Sequence, residues 1–202
     1  MKILPSIGIV LLCACEKEIT KPIPPEHTIT FTIDSALTSN GKQSLPLDNN
    51  GFFHLTLSTT SNQTLSRITG TFLVDGKPEQ IPSPVNSTIE WQSDHYWVLK
   101  AGDTVGRIVK TYFNPYTGQL QTSTLPSLIS QTDVIVPVVN SSSYSDQING
   151  SINTIFAPVK QMKGDTITIV GKVIYTIEIP VDNLFSKIKI DSIQKSIRII
   201  CD

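Results

Sequence analysis

The chain has 202 residues, 39% of them hydrophobic and 16% charged, and a formal net charge of -1 at neutral pH. Soluble proteins usually carry about a quarter charged residues, so this chain has no electrostatic footprint for nucleic acid or for an anionic membrane surface. Thr, Ser, Ile and Val are abundant, and 13 Pro and 11 Gly punctuate them; that mixture favours many short strands joined by turns.

At the N-terminus, Lys2 precedes an apolar run from Ile3 to Leu12. The run has signal-peptide length and falls well short of the roughly 20 residues a membrane-spanning helix needs. It ends in Leu12-Cys13-Ala14-Cys15 and turns at once to Glu16-Lys17-Glu18. These residues resemble the bacterial lipobox. The small residue Ala14 stands before Cys15, whereas Cys13 follows Leu12 and fits less well as the acceptor. Cys13 inside the box and Pro5 in the apolar stretch depart from the pattern. The resemblance implies a diacylglyceryl group on Cys15, removal of residues 1–14, and a membrane anchorage through that lipid. An ordinary cleaved signal with incidental cysteines is the alternative.

Residues 15–27 are charged and proline-rich and read as a semi-extended tether, at about 3 Å per residue in polyproline-like geometry. The acidic residues directly behind Cys15 resemble the surface-export signal of Bacteroidota lipoproteins, which implies the outer membrane. Of the 3 Cys, only Cys201 is left over in that reading. No intrachain disulfide can then form, and Cys201 reads as an edge or core hydrophobe.

Beyond the tether, alternation predicts strands. Ile29, Phe31 and Ile33 alternate with threonines; Phe53, Leu55 and Leu57 alternate with His54, Thr56 and Ser58 after an Asp48-Asn49-Asn50-Gly51 turn. Ile68 to Val74 is a third strand, ended by the hairpin signal Asp75-Gly76. Short strands at 89–91 and 96–99 flank Gln92-Ser93-Asp94, and 104–113 runs to the turn Asn114-Pro115-Tyr116-Thr117-Gly118. The pattern restarts after Leu125-Pro126 with strands in 134–139, 148–156, 166–179 and 187–200. Ile193, Ile197 and Ile200 also suit one helical face, so a C-terminal helical turn competes with the last strand. The expected class is all-β, with one or two immunoglobulin-like β-sandwich domains, preferably divided as 28–126 and 127–202. The body resembles the immunoglobulin-like domains of surface lipoproteins, without the Cys and Trp framework of antibody domains, so no functional residue carries over.

Chemistry is sparse. His27, His54 and His95 have no metal-ligand spacing, and Asp94-His95 has no G-x-S-x-G elbow to present a nucleophile. Asp48-Asn49-Asn50-Gly51 lacks the calcium-loop spacing, and four Asn-x-Ser/Thr sequons, at Asn62, Asn86, Asn140 and Asn149, follow from composition. Neither a catalytic residue nor a metal or cofactor is expected. The candidate ligand-binding group is aromatic: Trp91, Tyr96, Trp97 and Tyr116. Such rings suit sugar faces and protein hot spots alike, and equally the core of a sandwich, where Trp91 and Trp97 are expected. Tyr116, on its turn, is expected at the surface. The leading functional expectation is a noncatalytic envelope lipoprotein that binds a protein partner or serves as a structural element. A glycan-binding module and a hydrolase built from scattered carboxylates such as Glu79, Glu90 and Asp94 are the alternatives.

Overall fold

A computed structural model describes residues 27–79, 85–102, 104–105, 108–114, 119–125, 128–129, 132–140, 142–143, 149–180 and 186–202. Nearly all of it is strand. The first half holds β1 (Ile29–Thr38), β2 (Phe52–Leu55), β3 (Ser66–Val74), β4 (Lys77–Pro78), β5 (Val85–Ser93), β6 (Tyr96–Leu99), β7 (Thr104–Val105), β8 (Ile108–Asn114) and β9 (Gln119–Leu125). Then follow β10 (Leu128–Ile129), β11 (Val134–Pro137), β12 (Ser142–Ser143), β13 (Ser151–Phe156), a 3-10 turn (Lys160–Met162), β14 (Thr166–Pro180) and β15 (Ser186–Cys201). The competing helical face at Ile193, Ile197 and Ile200 is not realised, because β15 pairs without a break along β14.

Two sheets enclose the core. One has the order β1-β3-β13, with β4 against β3, and the other runs β12-β5-β14-β15-β2. Three two-stranded ribbons, β7/β10, β6/β11 and β8/β9, lie outside these paths. The division preferred near Pro126 does not coincide with any division of the sheets. β13 pairs with β3, β14 with β5, and β15 with β2, and one buried cluster draws Phe31, Phe72 and Trp91 together with Phe156, Ile167 and Ile199. Pro126 itself lies outside the described residues.

Local chemistry explains the register. β3 alternates strictly, burying Ser66, Ile68, Phe72 and Val74 on one face. β1 begins in phase with Phe31 and Ile33 inward, but its pairing shifts between Ile33 and Ser35, so Ala36 rather than Ser35 is the next residue inward. Asp34 is the extra residue of that bulge. Its carboxylate accepts from the hydroxyls of Thr32 and Thr71, both at 2.7 Å. Gly70 faces the bulge, where a Cβ would come within 2.2 Å of the Thr32 carbonyl oxygen. The Asp75-Gly76 hairpin is as expected: both residues have positive φ, 54° and 72°, the signature of a type I′ turn joining Val74 to Lys77. His27, assigned by sequence to the tether, donates its ring N–H to the Asp75 carboxylate at 2.8 Å, and the Thr28 N–H donates to the same carboxylate.

The sheets meet at Gly171 in the middle of β14. A Cβ there would lie 2.9 Å from both the Phe31 and the Trp91 rings. The missing side chain admits an edge-to-face aromatic pair, with ring centroids 6.5 Å apart at 70°.

Candidate functional site: the β6/β11 ribbon

The sequence grouped Trp91, Tyr96, Trp97 and Tyr116. Tyr116 lies outside the described residues. The structure separates the other three. Trp91 is 2% exposed, and its indole N–H donates to the buried Ser143 hydroxyl at 2.7 Å. A buried indole needs such a partner, so Trp91 is committed to the core and has no face for a ligand. Trp97 is half-buried and packs against the core cluster. Tyr96 is 58% exposed.

The strand period accounts for this split. β6 pairs antiparallel with β11, matching Tyr96 to Pro137, Trp97 to Val136, Val98 to Ile135 and Leu99 to Val134. Successive side chains alternate across a ribbon, and directly opposed residues share a face. Trp97 and Leu99 therefore turn inward, while Tyr96, Val98, Ile135 and Pro137 share the outer face. Val98 is 38% exposed and Ile135 66%. The result is a small aromatic-aliphatic surface, of the kind that isolated exposed hydrophobes do not make.

The ribbon is held at both ends. Beyond Leu99, the Lys100 ammonium meets the Asp133 carboxylate at 2.7 Å, and the Ala101 N–H donates to the same group at 3.0 Å. The Lys100 hydrogen bond and the Ala101 N–H hold the Asp133 carboxyl below its usual range. After β11, Val138 and Val139 are buried, and the Ala157 N–H donates to the Val138 carbonyl. At the Tyr96 end, Asp94 accepts from the His95 ring at 2.7 Å and from the Thr168 N–H at 2.9 Å. Burial pushes the Asp94 pKa up, but these hydrogen bonds outweigh it and leave the carboxyl below its ordinary value. Ser93 gives its hydroxyl proton to the His95 carbonyl at 2.6 Å, so the Asp94-His95 pair is a strand-end lock and Ser93 is not aimed at the ring. The apolar face thus has charged groups at both ends, the layout of a protein contact with a polar rim.

Sequence reasoning missed Val98, Ile135 and Pro137. The stretch from Val134 to Val139 read as a strand, but an apolar run does not show which of its faces a neighbour covers. Among the described residues, no group of three or more His, Cys, Asp or Glu could hold a metal ion. No helix there is long and apolar enough to cross a membrane. No protein-family model, no curated protein and no solved structure matches this chain.

Proposed function

We propose that this protein is a noncatalytic lipoprotein of the bacterial cell envelope, anchored through Cys15 to the outer membrane, whose immunoglobulin-like β body docks a protein partner on the β6/β11 ribbon. The observation that carries the docking role is the outward face made by Tyr96, Val98, Ile135 and Pro137 on a ribbon locked at both ends. Two features favour a protein over a sugar. Three of the four residues are aliphatic, and a sugar platform built on the tryptophans loses Trp91 to the core and most of Trp97 to its packing. The anchor rests on Leu12-Cys13-Ala14-Cys15 and the acidic residues behind it.

Two measurements test the two parts separately. Cys15→Ala is expected to leave the detergent phase in a partitioning assay and to retain residues 1–14; an acylated, membrane-bound variant overturns the anchor. A photoreactive residue at Ile135, in the lipidated chain in its own membrane, is expected to yield one discrete cross-linked protein that vanishes with Tyr96→Asp. The same probe at exposed Thr56 should yield none. Indifference to Tyr96→Asp overturns the ribbon as the docking face, and retention on a glycan array lost with Tyr96→Ala transfers the site to the sugar reading.

A further inference from the structure

β15 carries an edge that its own sheet does not use. At its C-terminal end the strand is enclosed: the Cys201 N–H donates to Asp165 and its carbonyl accepts from Gly164, both on the β14 side. The next residue, Asp202, turns the other way, donating to the Leu55 carbonyl and accepting from Leu57. Backbone groups alternate sides along a strand, and the β14 register is unbroken from Ile200 to Ser186. The even-numbered residues of β15 therefore turn their N–H and C=O away from β14. β2 covers that side only over Arg198–Cys201. From Ser186 to Ser196 no other strand pairs with it among the described residues. There the Ser192 N–H is met by the neighbouring Asp191 carboxylate, at 2.8 Å.

The side chains on this stretch are as open as its backbone. Ile188 and Ile190 are 66% and 68% exposed and share one face, opposite Glu178 and Thr176 of β14. Lys187, Lys189 and Asp191 occupy the other face, with Lys189 3.6 Å from Asp191. An open edge with exposed isoleucines is a template for another strand.

The charges select the occupant and its register. In a second copy of this chain laid antiparallel about a two-fold axis at Ile190, Ile190 meets Ile190, Ile188 meets Ser192, and Lys189 meets Asp191 on both sides of the axis. Moving the axis to 189 sets Lys189 against Lys189. Moving it to 191 sets Asp191 against Asp191, and 192 sets Lys189 against Lys195. Like charges directly opposed are destabilising. An axis at 193 matches Asp191 to Lys195, but it drives the second copy's Ile188 toward Arg198, where β2 already sits. With the axis at 190, the paired N–H and C=O groups are those of the even residues, which no strand pairs among the described residues, the Ser192 N–H exchanging the Asp191 carboxylate for the Ile188 carbonyl of the second copy.

We propose that the edge of β15 from Ser186 to Gln194 joins two copies of this protein in an antiparallel pair centred on Ile190, making one continuous sheet across the pair. The Cα atoms of such a hydrogen-bonded pair lie about 5.5 Å apart, within disulfide range. The test uses the full chain in its own membrane and in detergent micelles. Ile190→Cys is expected to form a disulfide-linked dimer under mild oxidation, while Thr56→Cys is not. In sedimentation, the wild type should show twice the mass of the single mature lipidated chain after correction for detergent. Asp191→Lys should return it to one chain mass, and adding Lys189→Asp to that variant should restore the dimer, which also shows that the single variant did not fail by misfolding. A monomeric wild type overturns the proposal and assigns the edge lysines to keeping strands apart. A dimer untouched by Asp191→Lys, or one that Thr56→Cys traps equally well, overturns it too, as does a disulfide from position 190 to a different protein.

Discussion

Trp91 and Tyr96 stand five positions apart in one aromatic cluster, yet their strands put them to opposite uses. β5 lies inside a five-stranded sheet, flanked by β14 and β12, and opposes the second sheet through Phe31. β6 belongs to a two-stranded ribbon with one face on the core and one in water. An aromatic in the first setting is wholly enclosed, whereas in the second it is sorted by parity, Trp97 inward and Tyr96 outward. Burial is thus decided by how many neighbours the strand has, and residue type comes second.

That contrast breaks first at Trp91. Trp91→Ala removes the edge-to-face pair and orphans the Ser143 hydroxyl, and it should cost about 3–5 kcal/mol in denaturant unfolding, enough to unfold a marginal domain. Trp97→Ala should cost visibly less, and an equal cost would mean that the ribbon is as enclosed as the sheet. Gly171→Ala tests the same contact from the other side. Its Cβ must displace the Phe31 and Trp91 rings, and overpacking of that kind costs about 1–3 kcal/mol. Combined with Trp91→Phe, which shortens one ring, the penalty should shrink, since neighbours in contact do not add independently. On the ribbon, Tyr96→Ser and Ile135→Ser should leave the midpoint within about 0.5 kcal/mol of wild type. A larger loss would place that face against something within the fold.

The smallest effect is electrostatic. The Asp202 carboxylate bonded to His54 at 2.9 Å, helped by Asp48 at 3.7 Å, raises the His54 pKa above its ordinary 6.5. The Phe52 N–H on Asp48 lowers that carboxyl below 3.8. The raised histidine stabilises the fold fully below about pH 6.5 and loses that contribution as pH rises through its folded value. The depressed aspartate contributes above about pH 3.8 and fails as pH falls through its lower one. Stability should therefore peak between these limits. His54→Gln should flatten the alkaline side of the melting profile more than the acid side, because the Phe52 N–H still holds Asp48 low, and Asp75, held low by the His27 hydrogen bond, and Asp133, held low by Lys100, are untouched. An unchanged alkaline limb would refute the pairing.

Much of this architecture was legible from strand alternation and turn chemistry. Ile29-Phe31-Ile33, the Asp75-Gly76 turn and the long runs at 166–179 and 187–200 all announce themselves by period and by tolerance of positive φ. Pairing did not. Nothing in Phe53 and Leu55 says that they lie beside Ile199 and Cys201, and the bulge at Asp34 reverses the phase of β1 without any sequence signal stronger than an aspartate. A proline such as Pro126 likewise marks an interruption of hydrogen bonding without saying which strands on either side of it pair, and here β13, β14 and β15 pair with β3, β5 and β2. In the candidate site, Tyr96 was legible as an aromatic. Its companions Ile135 and Pro137 arrive from the opposite strand, and β7, β8, β9 and β10 all intervene in the chain.

The enclosed end of β15 bears on how the chain can be made. Cys201, wholly buried, has its thiol pushed up to about 11 by burial and by Asp165 and Asp202 nearby, so it stays protonated and unreactive while folded. It sits between β14 and β2, and β2 reaches it only by closing a loop of nearly the entire body; His54 and Asp202 are 148 positions apart. Pairings that distant form slowly. If the proposed export holds, a chain threaded from its N-terminus has no strand to place beside β2 until Arg198–Cys201 emerge, so it would cross open and fold on the far side. Thiol labelling at Cys201 would then serve as a clock: rapid on the nascent chain, and silent once the last strand is seated.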